Sequence, residues 1–276
     1  MAPAKNGCFC GTPYQVHLTE PRMSILNNIL GHPLTRGLSV DDPRTTLLRR
    51  SIIQDKAFLR ALYSEWYEQI IRILPKKNDV LELGSGAGFL QQLLPEVITS
   101  EVFETPGVRL IADACDLPLP DKSLDAIVMT DVFHHIPDVS RFLVEATRCV
   151  RPGGKIVMVE PWRTPWSEWV YTHLHSEPFS PDSDWKIPST GPLSGANGAL
   201  PWIVFQRDSA LFEAQFPQWR IRNIEPMMPF SYLLSGGVSM RSLVPGWMYR
   251  PIRAMERILS QKQWAMFALI ELELAS

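Results

Sequence analysis

The sequence predicts an α/β protein built on a doubly wound, mostly parallel sheet. Two observations carry that expectation. From Asn78 to about Pro161, short apolar runs bounded by turns alternate with helix-forming stretches, the pattern left by parallel strands joined through crossovers. Within that region "DVLELGSGAGFL", Asp79–Leu90, sets a glycine-rich turn directly after the first apolar run. Open sheets bind ligands at such strand-to-helix turns, where bare backbone can approach them closely.

The chain has 276 residues, 45% of them apolar and 20% charged, which fits a globular protein with one large domain or one domain plus additions. A net charge of −2 without a dense basic patch argues against a nucleic-acid partner. Arg44, Arg49 and Arg50 read as a solvated helix face. Cys8, Cys10, Cys115 and Cys149 do not resemble a secreted disulfide framework, and the "CFCG" pair lacks the second thiol pair a zinc site wants. Met1–Thr12 has no apolar signal core, and no window reaches the roughly eighteen apolar residues of a spanning helix. A soluble, cytoplasmic protein is therefore expected.

Residues 1–40 read as an irregular arm. Helix signals begin at "DDPRTTLLRR", with acids and a proline where a first turn tolerates them, and Leu48, Ile52, Leu59, Leu62, Trp66, Ile70 and Leu74 recur at helical spacing until Pro75. "VLEL", "VITSEVF", "VRLIAD", "LDAIVMTDV" and "GGKIVMVE" read as five successive strands. "FLQQLL" opens a helix after the first of them, and "PDVSRFLVEATRCV" forms one before the fifth. Trp162–Arg207, rich in tryptophan and proline and without a sustained period, reads as an insertion after strand five. "DSALFEAQF" and "WRIRNIEPM" resume the alternation, the uncharged Met227–Met240 reads as a hairpin of the last two strands, and Tyr249–Leu274 carries helical spacing.

A dinucleotide-binding turn requires G-x-G-x-x-G, and Phe89 stands where its third glycine belongs. The turn reads E-x-G-x-G-x-G from Glu82 to Gly88 instead. With "ADACDLPLPDKSLDAIVMTDVFHHIPD" and "RCVRPGGKIVMVEP" following in order, the sequence resembles the class I S-adenosylmethionine-dependent methyltransferases, and most closely their quinone-biosynthesis and small-molecule branch. The resemblance covers under a third of the chain, and everything after Trp162 lacks a motif that would identify the acceptor. It implies a Rossmann-like, seven-stranded sheet whose last strand is antiparallel, with a helical cap and arm over 1–77 and a methyltransferase domain over 78–276 that carries residues 162–207 as a substrate-facing insertion. It also implies S-adenosyl-L-methionine as cofactor, with S-adenosyl-L-homocysteine as product.

Gly84, Ser85, Gly86 and Gly88 would then lie beside the donor, and Glu82 would hold its ammonium. Glu101 would accept the ribose hydroxyls. Asp113, with Ala114 and Cys115 flanking, would meet the adenine, and Thr130 and Asp131 would close the site. His135 and His134, just past strand four, and Glu160, at the tip of strand five, are the candidate bases, since a base is needed only if the acceptor must lose a proton. His134 and His135 can equally shape the donor pocket. A metal pair there is not expected: adjacent residues rarely face one ion, and no third ligand suggests itself. Trp162, Trp166, Trp169, Trp185 and Trp202, with Tyr171, His173 and His175, form either an aromatic wall for the acceptor or an ordinary packed subdomain.

The expected function is methyl transfer to oxygen or carbon of a small, aromatic or amphiphilic molecule. Two alternatives remain open at the level of sequence. One is methylation of a lipid-linked or glycan precursor at a membrane surface, and the other is a non-catalytic cofactor-binding partner protein.

Overall fold

The structure, a computed structural model, describes residues 42–175, 177–188, 191 and 195–276. The expected N-terminal arm and the Cys8/Cys10 pair lie outside the described residues. Two helices come first, α1 (Pro43–Asp55) and α2 (Ala57–Ile73). The Asp42 side chain caps α1 by accepting the Arg44 amide, and Pro43 occupies the first turn, where its missing N–H costs nothing. The one continuous or broken helix expected here is thus two, divided at Lys56.

Seven strands follow: β1 (Val80–Leu83), β2 (Ile98–Glu101), β3 (Leu110–Ile111), β4 (Leu124–Thr130), β5 (Val150–Pro161), β6 (Trp219–Met227) and β7 (Phe267–Leu274). They form one sheet in the order β3-β2-β1-β4-β5-β7-β6. β1 to β5 pair in parallel, while β7 runs antiparallel to both β5 and β6. Alternate strand residues feed two cores. Leu81, Ile127, Ile156 and Ile270 face α3 (Val139–Cys149), while Val80, Val128, Val157 and Leu269 face α2. Period-two alternation with both faces covered explains why these strands read as unbroken apolar runs.

The remaining helices are α4 (Pro165–Leu174), α5 (Leu200–Trp202), α6 (Ser209–Gln215), α7 (Ser231–Ser235), α8 (Tyr249–Glu256) and α9 (Gln261–Trp264). Three expectations need correction. "FLQQLL" makes only a 3₁₀ turn at Leu90–Gln92, because Pro95 leaves too little chain for a stable helix before β2. The C-terminal helical period is broken: α8 and α9 are short, and Phe267–Leu274 is a strand. "FALIEL" is apolar nearly throughout and fits either period, and the gap between β5 and β6 selects the strand. Residues 227–240 are no hairpin; after β6 ends they form α7, which contacts α2.

A buried polar network fastens this C-terminal part to the helical cap. Glu256, fully buried, accepts the Phe230 and Ser231 amides and the Ser231 hydroxyl, each at 2.6 Å. Arg253 bridges Glu256 to Glu65 of α2, which also accepts the Tyr249 hydroxyl. Removing one member leaves the others buried without partners, so Glu256→Ala is expected to lower the unfolding free energy by about 3 kcal/mol or more. Urea unfolding checks this; a loss near the ~0.5 kcal/mol of an ordinary surface substitution would contradict it.

Candidate functional site

The turn after β1 is shaped by contact on every side. Gly84 sits at φ 67°, in the left-handed region, and a Cβ there would strike Val132. At Gly86 an added Cβ would overlap the Thr46 methyl and the Glu101 carboxylate, and at Gly88 the Tyr67 hydroxyl. Helices of the cap therefore press on the turn directly. Arg50 donates to the Gly86 carbonyl at 2.8 Å and to the Pro106 carbonyl at 3.0 Å. Arg49 lines the adjoining cavity. The reading of Arg49 and Arg50 as a solvated face is thus corrected; only exposed Arg44, paired with half-buried Asp42, keeps it. Tyr63, Tyr67 and Thr46 line the cavity too. Sequence reasoning missed them because they share the apolar period of ordinary core positions.

The cavity lies at the carboxyl ends of the strands. It brings together Glu82, Gly84, Gly88, Glu101, Asp113, Ala114, Thr130, Asp131 and His135. Among the described residues its lining holds four carboxylates and one guanidinium. Burial pushes the Glu82 and Glu101 carboxyls up to about 7 and that of Asp131 up to about 6. Asp131 also adopts φ 62° at the end of β4, a conformation aspartate tolerates better than most residues. Asp113 accepts the Cys115 amide at 2.8 Å through one oxygen. Such a lining favours a cation and disfavours phosphate, whose recognition wants the opposite balance.

Besides His134, four expected site residues stand behind the cavity. The Ser85 hydroxyl donates to the Glu82 carbonyl at 3.0 Å and accepts the Ser100 amide at 3.1 Å, so it locks β1 to β2. The Cys115 thiol is buried against the Asp138 carbonyl. Gly86 offers its backbone to Arg50. Glu160 does not face the cleft: it is fully buried, and its Oε1 accepts the Val132 and Phe133 amides, both at 2.8 Å, while Oε2 meets His134 Nδ1 at 2.8 Å. With both oxygens engaged it holds the turn after β4 in place, and a role as a free base is not open to it.

The two histidines differ sharply. His134 is buried; burial disfavours its charged form, but the contacts with Glu160 and Glu177 outweigh that and hold its pKa well above the ordinary value. His135 lines the cavity, its Nδ1 lies 3.1 Å from the Gly195 carbonyl, and burial together with the charge on His134 pushes it down to about 4. Neutral His135 thus presents an unprotonated Nε2, though as a weak base. The third side chain at this pair is Glu177, whose Oε2 lies 3.4 Å from His134 Nε2. Sequence reasoning missed it, since Glu177 follows the pair by more than forty residues and lies in the insertion, which has no sustained period.

Residues 162–207 fold back over this region. The Asn197 amide donates to the His134 carbonyl, its side chain brackets Ser180, and the Gly198 amide donates to Pro178. A second, smaller cavity adjoins the first at Asp131 and is lined by Tyr171, His175, Glu177, Phe179, Tyr232 and Phe267 among others. Of the expected aromatic wall, Tyr171 and His175 are there, but none of the five tryptophans is. Trp162 and Trp185 join the core, Trp166 stacks on Trp169 and donates to the Pro229 carbonyl, and Trp202 lies under the Arg163 guanidinium. His173 is turned back onto the Trp169 carbonyl.

Residues 81–158 match the family model described as a methyltransferase domain. A probable S-adenosylmethionine-dependent methyltransferase of Mycobacterium tuberculosis is 33% identical over 112 residues, covering 35% of this chain and 41% of that protein. A demethylmenaquinone methyltransferase of Tropheryma whipplei is 44% identical over 45 residues, 16% of this chain and 19% of that protein. Among solved structures, a geranyl diphosphate C-methyltransferase of Streptomyces coelicolor superposes with a TM-score of 0.49 at 14% identity, over 79% of this chain and 81% of that one. The matched stretch spans less than half the length of these curated relatives. From β1 to β5, then, the chain resembles the S-adenosylmethionine-dependent methyltransferases. No described helix is long and apolar enough to cross a membrane.

The contrast between the histidines can be read by imidazole NMR on chelator-treated protein. His135 is expected to stay neutral down to about pH 4, whereas His134 stays protonated above its ordinary titration range. In Glu160→Gln the His134 midpoint should fall, because the charge that favours its protonated form is gone. Two rings titrating together near pH 6.5 would contradict the arrangement.

Proposed function

We propose that the protein transfers a methyl group from S-adenosyl-L-methionine to an oxygen or carbon of a small organic acceptor. The observation that carries this reading is the ring of carboxylates, Glu82, Glu101, Asp113 and Asp131, around a backbone turn that admits no side chain at Gly84, Gly86 or Gly88. The donor is cationic at its sulfonium and its ammonium and carries no phosphate, so this lining suits it. The same donor is named for relatives that align with about a third of this chain.

In this reading Glu82 takes the ammonium, Glu101 the ribose hydroxyls and Asp113 the adenine amino group, with Ala114 beside the ring. When bound, the donor supplies an electrophilic methyl whose transfer returns the C–S electron pair to sulfur. The chain's own contribution is to orient the acceptor in line with that methyl and to keep water out. The small cavity beyond Asp131, with Tyr171, Phe179, Tyr232 and Phe267 in its lining, supports an acceptor with an aromatic or apolar body. His135 lies in the first cavity's lining and Glu177 in the second's.

Calorimetric titration with the donor tests this. Gly86→Val should abolish binding, because the side chain would fill space held by Thr46 and Glu101. Glu101→Ala should cost about 1.5–3 kcal/mol, roughly ten- to a hundredfold in Kd. Unchanged affinity in both variants would remove the proposed pocket, and binding without turnover across a broad acceptor panel would favour a non-catalytic protein.

A further inference from the structure

The turn after β4 carries donor atoms that methyl transfer alone leaves unused. His134, His135 and Glu177 each offer one ligand atom within 4.8 Å of the others. Both rings are held by their Nδ1 atoms, His134 on the Glu160 carboxylate at 2.8 Å and His135 on the Gly195 carbonyl at 3.1 Å. That leaves Nε2 of each ring as the atom to offer, that of His134 by giving up its proton to solvent as the ion binds. Outer-shell acceptors on the far ring nitrogen are what metal-binding histidines generally have, because they fix tautomer and ring orientation.

An independent observation points the same way. His134 Nε2 is buried yet makes no hydrogen bond; Glu177, 3.4 Å away, is near it without being a well-formed acceptor. A buried polar atom whose nearest acceptor stands off at 3.4 Å calls for an explanation, and an ion between the three side chains supplies one. Donors lying 2.0–2.2 Å from one four-coordinate ion stand roughly 3.3–3.6 Å apart; His134 Nε2 and Glu177 Oε2 are already at 3.4 Å, and with the ligand atoms of all three residues within 4.8 Å of one another, closure of up to about an ångström brings the cluster into range.

We propose that His134, His135 and Glu177 form a binding site for a divalent transition-metal ion of the zinc type. Two imidazoles with one carboxylate favour such a metal over magnesium or calcium, which prefer all-oxygen sets. Three protein ligands leave a position open. The site lies where the two cavities meet, since His135 lines the first, Glu177 the second and Asp131 both. The open position would take an oxygen of the acceptor, which makes the preferred acceptor class one with a hydroxyl or carbonyl oxygen beside an apolar body. That last step rests on the methyl-transfer reading; the metal site itself does not.

The test is metal binding without the donor. The chelator-treated full chain is titrated with Zn2+ against a chromophoric competitor and with Co2+ followed by its visible absorption. Cys8→Ser/Cys10→Ser serves as the background, so that those thiols cannot contribute. One ion per chain is expected, with the absorption of nitrogen and oxygen ligation, and Glu177→Gln and His135→Ala should each weaken binding at least tenfold while keeping the parent's metal-free circular dichroism. No ion bound at stoichiometric concentrations would overturn the proposal. So would equal affinity in both variants, which would leave the cluster as an ion pair of protonated His134 between Glu160 and Glu177. Donor binding, measured separately, can fail or succeed without altering either result.

Discussion

The constraint on which the rest depends is electrostatic. Glu82, Glu101 and Asp131 are carboxyls withdrawn from water around one cavity, and burial raises all three. Ionised carboxylates in such surroundings are costly unless a positive charge meets them. Among the described residues Arg49 is the single guanidinium in the lining, and Arg50 spends its donors on the Gly86 and Pro106 carbonyls. The site is therefore poised to gain from a cationic ligand. The turn that presents it has no room for side chains, because Thr46, Tyr67, Glu101 and Val132 occupy that space.

Rigidity around the cavity comes from groups that never touch it. Glu160, reaching from the tip of β5, satisfies two amides and one imidazole of the turn after β4. Asn197 ties the insertion to the same turn through the His134 carbonyl. Glu256 and Arg253 perform the corresponding service for the helical cap, holding α2 and the segment after β6 together. Each is a buried polar side chain with hydrogen-bond partners in place, the condition under which such groups specify one arrangement. The same logic separates the two histidines: one is gripped between carboxylates, the other faces the cavity as a neutral ring.

Much of the sheet could be read from the chain because its strands are buried on both faces and bounded by turns. The glycine turn, Glu82, Glu101, Asp113 and Asp131 were legible for a related reason: local motifs fix where strand tips lie. What escaped was non-local. Tyr63, Tyr67 and Arg49 sit on helices whose period looks like plain core or plain surface, and only docking turns them toward the cavity. Glu177 lies in a segment with no period at all, and its meeting with His134 depends on how that segment folds back. β7 failed for a different reason, since an apolar run without breaks fits a helix as well as a strand. The tryptophans of the insertion suggested a binding wall, but large apolar rings are more often recruited to a core, and here most were.

The carboxylate account is tested most directly by proton release on donor binding. At pH 6.0 carboxyls with pKa near 7 are mostly protonated, whereas the donor's amine is already charged. Calorimetry in two buffers of different ionisation enthalpy gives the number of protons exchanged. Release of about one proton or more per donor bound is predicted, because the cation can be held only by carboxylates that have ionised. Binding with no release, or with net uptake, would contradict it.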